Sequence, residues 1–102
     1  MGQSKRFILK ATDIRPLATG YGGCIATDMI TVHGHQVRVM YRQEVHNDMD
    51  SGWRFSAGCE SAEYMEDACN CDVYDVNTIA NYDPEIIPFL GAPVGSAFER
   101  DE

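Results

Sequence analysis

Apolar positions in this chain come in short runs broken by polar ones, and the spacing within each run predicts its element. Gln36–Gln43 is the clearest case: Val37, Val39 and Tyr41 alternate with Arg38, Met40 and Arg42, the two-residue period of a half-buried strand. Cys24–Val32, with Ile25, Met29 and Ile30 apolar, reads as the strand before it. His33-Gly34-His35 supplies a turn, so these two segments predict a hairpin. Arg6–Ala11 predicts a first strand that leads to Pro16, and Gly20-Tyr21-Gly22-Gly23 a flexible connection. Asn47–Gly52 is a polar loop, Trp53–Ala57 a short aromatic strand, and Asp72–Val76 a further alternating strand.

Helical signals are brief and come late. Ser61 opens a helix of one to two turns, with Glu63 near its positive N-terminal end. Asn77 or Thr78 caps a turn that runs through Tyr82. Asp83-Pro84-Glu85 starts another, with Ile86, Ile87, Phe89 and Leu90 as its apolar face and Pro88 limiting its length. Val94–Arg100 reads as a last strand or extended tail. The sum is an α+β class: a single small domain, mainly antiparallel sheet with short helices. Residues 1–21 form an N-terminal strand or extension and residues 22–102 the main domain, one globular unit overall. A chain of 102 residues buries roughly 60–65% of its unfolded surface, enough for one modest core.

Charge changes this picture by adding a partner. Residues 1–43 carry six Lys/Arg and two acids, a net of +4; residues 44–85 carry one Arg and eleven acids, a net of −10. So acidic a central stretch suits a basic protein surface. It does not suit nucleic acid, whose phosphates require Lys and Arg. No stretch approaches the roughly 20 apolar residues of a membrane span, and Lys10 interrupts Phe7-Ile8-Leu9 too early for a signal peptide. A cytoplasmic location follows as the expectation, and with it free thiols rather than disulfides.

Candidate chemistry is sparse. Cys59, Cys69 and Cys71 with His33, His35 or His46 would be the zinc set, but Cys-x9-Cys-x-Cys is not the spacing of a zinc knuckle. Neither metal nor cofactor is expected. Cys24, Ser51 and Ser96 lack any nucleophile-elbow pattern, so no enzyme is expected either. Asp48, Asp50 and Gly52 echo a calcium loop, yet residue 59, where the distal Glu belongs, is Cys59. Trp53 and Phe55, two apart on a strand, share a face; that face is either core or an aromatic hot spot, and Arg54 points the other way. A capping and turn role accounts for Asn77, Thr78 and Asp83; the other reading is that Asp75, Asn77 and Asp83 line one exposed patch.

Three strings resemble one family: Asp50-Ser51-Gly52-Trp53-Arg54-Phe55, Tyr74–Pro84, and Gly95-Ser96-Ala97-Phe98-Glu99-Arg100, with Val39-Met40-Tyr41-Arg42 upstream. In order and spacing they resemble the bacterial immunity protein 33 family over about residues 22–100. The resemblance implies an antidote that binds a cognate protein toxin of a polymorphic toxin system. Charge adds an expected mechanism, occlusion of a basic cleft, with a nuclease domain as the natural cognate and the antidote a monomer or weak dimer. The expected docking residues are Asp48, Asp50, Trp53, Arg54, Glu60, Glu63, Tyr64, Glu66, Asp75, Asn77 and Asp83. The alternatives are a small metal-binding or thiol-dependent enzyme or regulator using the Cys/His set, and a ligand-binding module of another kind.

Overall fold

The computed structural model describes residues 6–45 and 47–100. Five strands form one sheet: β1 (Gly23–Thr27), β2 (Val39–Arg42), β3 (Asp50–Ser56), β4 (Cys71–Asp75) and β5 (Ala97–Glu99), in the order β4-β1-β3-β2-β5. Three neighbouring pairs are antiparallel, and the central pair β1–β3 is parallel. The short helices are α1 (Asp28–Thr31), α2 (Ala62–Glu66) and α3 (Val76–Tyr82), with 3₁₀ turns at Ala11–Asp13, Ala68–Asn70 and Pro84–Phe89. The fold is a small α+β domain built on a mixed sheet.

One sheet face carries the core. Cys24, Ala26, Met40, Trp53 and Phe55 project there and pack with Ile30, Val76, Ile79, Ala80, Ile86 and Leu90 from the helical segments. Trp53 is fully buried, stacks near Phe55 with ring centroids 6.1 Å apart, and donates its indole N–H to the Leu90 carbonyl at 3.1 Å. That bond lets a large apolar ring sit inside without an orphan donor.

The predicted hairpin between Cys24–Val32 and Gln36–Gln43 does not form. β1 ends at Thr27, the next four residues coil into α1, and β1 pairs with β3 and β4 instead. The true hairpin is β2–β3. Alternation gives each strand its faces but not its neighbour, and Asp28, suited to a helix's first turn, begins α1 where a continuing strand was expected. Within β2, Met40 is buried and Tyr41 exposed. Arg42, directly across from Trp53, keeps its guanidinium satisfied by the carbonyls of Ser51 and Ala92 and lies over the Trp53 ring.

Arg6–Ala11 is not a strand; this stretch is irregular and enters the first 3₁₀ turn. Ser61 caps α2, and Asp83 caps the Pro84–Phe89 turn with Pro at its first position. The cap of α3 is Asp75, which accepts from the Asn77 N–H, rather than Asn77 or Thr78. β4 runs into α3 without a loop, so its last residue does the capping.

Candidate functional site

Opposite the core, the sheet presents a second face to solvent. Register places one transverse row across all five strands: Val73, Ile25, Arg54, Tyr41 and Ala97. Val73 is 69% exposed and Tyr41 44%. The centre of the row is polar: Arg54 donates to both carboxylate oxygens of Asp50, at 3.0 and 2.9 Å, and to the Trp53 carbonyl.

A bulge in β3 makes this pair. Between Gly23 and Ile25 on β1, β3 passes from Asp50 to Arg54, using two extra residues. Gly52 takes φ +87°, and a Cβ there would lie 2.3 Å from the Gln43 carbonyl oxygen, so only glycine fits. The Asp50 carboxylate also accepts from the Gly52 N–H. The Arg54 bond, first of all, holds Asp50 below the usual carboxylate range, and Asp50 in turn raises Arg54 further.

Acids bracket this face at both ends of β3. At one end lie Asp48 in the preceding loop, Asp50, and Asp75 opposite Gly23. There a shallow depression of about 270 Å3 is lined by Gly23, Cys24, Ile25, Asn47, Met49, Asp50 and Val73. At the other end Glu60 accepts from the Thr27 hydroxyl and from the backbone N–H groups of Ala57 and Gly58 at 2.8 Å. Burial would raise its pKa, but these donors outweigh burial and hold it low. Glu63 and Glu66 follow, exposed on α2.

The expected docking residues therefore divide. Asp48, Glu63 and Glu66 are exposed, Asp75 is an exposed cap, and Asp50 and Arg54 sit on the solvent face as a pair. Tyr64 is half-buried on α2. Trp53 belongs to the core. Asn77 is occupied with the backbone of residues 15–18. Asp83, 4% exposed, accepts from the Val37 N–H and pairs with Arg100 at 2.9 Å. Tyr41, Ile25 and Val73 were not among the expected residues. Their signal was the outward half of each alternating strand, legible only once the neighbours are known.

Cys24 is buried, and its thiol is pushed up to about 12, first by burial and then by the Asp75 charge. Cys59 and Cys69 are exposed. Among the described residues no group of three His, Cys, Asp or Glu side chains is placed to hold a metal ion, and His46 lies outside them. No helix among the described residues is long and apolar enough to cross a membrane.

The fold is thus a small mixed sheet with one face packed and one turned away from the core. The model of the family described as "Immunity protein Imm33 domain" matches residues 24–102, most of the chain, and the protein belongs to that family. No curated protein and no solved structure matches it significantly.

Proposed function

We propose that this immunity-family protein neutralises a cognate toxin domain by occlusion, docking its solvent-facing sheet surface over a basic active-site cleft. The observation that carries this reading is the Val73–Ile25–Arg54–Tyr41–Ala97 row. It sets exposed apolar and aromatic groups around an Arg already fixed by Asp50, the residue types that anchor interfaces. Because the ion pair is made before binding, little side-chain freedom is lost on docking. The flanking acids Asp48, Glu63, Glu66 and Asp75 steer a cationic partner, and a nuclease cleft has that charge. The role is binding rather than catalysis, exerted in the cytoplasm by a monomer or weak dimer, with residues 1–21 an extension of the 22–102 domain.

The test begins with affinity capture of the toxin, followed by stopped-flow association. Reversal of Asp48, Glu63 and Glu66 to Lys is expected to slow association and flatten its salt dependence. Unchanged association rates would contradict electrostatic steering by these acids. Glu60 is unsuitable for reversal, since its carboxylate ties Thr27 to the start of the segment after β3.

A further inference from the structure

Side chains of α3 hold the main chain of an earlier segment of the protein. Asn77 accepts from the backbone N–H groups of Leu17 and Ala18 at 2.7 and 2.8 Å, and its amide donates to the Arg15 carbonyl at 2.8 Å. Asn81, one turn on, accepts from the Arg15 N–H at 2.9 Å and donates to the same carbonyl. Tyr82 accepts from the Leu9 N–H at 3.1 Å. Every one of these bonds goes to main chain. The side chains of Arg15, Pro16 and Leu17 are exposed; only Ala18, at 5% exposure, is buried. Pro16, which has no N–H, falls where the surface asks for none. Gly20 and Gly22, at φ +90° and +102°, join this arm to β1. The three reading side chains lie within the family-matched span 24–102, and the arm lies outside it.

We propose that Asn77, Asn81 and Tyr82 form a peptide-binding site that reads main chain, filled in the free protein by its own residues 9–18. Its external ligand is a segment of another protein with the pattern X-Pro-X-small, which displaces the arm. Specificity is narrow at one position, the small residue, and loose elsewhere, because only backbone and one small side chain are gripped; proline is accepted where no N–H is held. The arm acts as a tethered competitor, so an outside segment meets an effective concentration that it must beat.

Fluorescence anisotropy of a labelled peptide with the sequence of residues 6–20 tests this on the full chain. Leu17→Pro removes one N–H that Asn77 holds and loosens the arm. This variant is expected to bind the peptide saturably, at least about tenfold more tightly than the wild-type chain. Adding Asn77→Ala and Asn81→Ala is expected to abolish binding while circular dichroism keeps the native signal. A peptide that retains Pro16 and Ala18 but exchanges its other side chains is expected to bind within about threefold, since main chain is what is read. Absence of binding to Leu17→Pro, when hydrogen exchange shows its arm released, would overturn the proposal. So would binding that survives loss of both asparagines, or mass measurements in which the arm trades only between two copies of the chain. The proposal stands or falls independently of the sheet-face docking, which none of these variants touches.

Discussion

Asp50 and Arg54 meet through two parallel hydrogen bonds although they lie four positions apart on the same strand. Regular strand geometry would hold their Cα atoms about 13 Å apart. The bulge brings them opposite Gly23 and Ile25, two residues apart on the neighbouring strand, a step of about 7 Å. Gly52 is the hinge of that bulge. Gly52→Ala is expected to cost about 3 kcal/mol, from the left-handed backbone and the collision with Gln43, measured by urea denaturation. Full stability in this variant would mean that the bulge relaxes freely.

Acid should weaken the fold in a defined way. Asp50 and Glu60 both titrate below the ordinary carboxylate range in the folded protein. The unfolded chain therefore binds more protons between the folded and unfolded values. The stability they supply is complete at neutral pH and is lost as pH falls below about 5 through the folded values. Glu60→Gln is expected to lower stability at pH 7 and flatten its decline toward acid. An acid limb as steep as the wild type's would show that Glu60 is not among the groups responsible.

Asp83 ties three parts of the chain: it caps the Pro84–Phe89 turn, accepts from Val37 N–H and pairs with Arg100. Removing a buried partner leaves Arg100 and the Val37 N–H without their acceptor. Asp83→Ala is expected to cost about 3 kcal/mol or more in denaturant melts. A loss below about 1 kcal/mol would mean that water replaces the carboxylate.

Thiol chemistry should separate the cysteines. Cys59 and Cys69 are exposed and are expected to react with Ellman's reagent in the native protein within minutes at pH 8. Cys24, 1% exposed and with a thiol pKa of about 12, is expected to react only after unfolding. Rapid labelling of native Cys24→Ser and wild type to the same stoichiometry is the outcome expected.

Much of the fold was legible in the residues. Trp53 and Phe55 were legible as sharing one face with Arg54 opposite, though not which face was the core, and Ser61 and Asp83 marked their helical starts. Local pattern was enough there, because strand period and capping chemistry act over a few residues. What escaped was non-local. The parallel β1–β3 pairing depends on α1 and β2 intervening, and the direction of a partner strand leaves no trace in alternation. The transverse row was hidden for the same reason: Tyr41 and Val73 are ordinary outward strand residues until register aligns them with Arg54. Asn77 looked like a cap or a patch residue and Asn81 carried no signal of its own; their grip on residues 15–18 spans about 60 positions of sequence.

The central claim is that the solvent-facing side of the sheet is the docking surface. The most direct measurement is the dissociation constant of the captured toxin domain for wild type, Tyr41→Ala, Val73→Ala and the double variant, by calorimetry, with urea melts confirming intact folding. At least about a 30-fold loss in the double variant is predicted, carried mainly by faster dissociation. Unchanged affinity in a folded double variant would contradict it and put the interface elsewhere on the molecule.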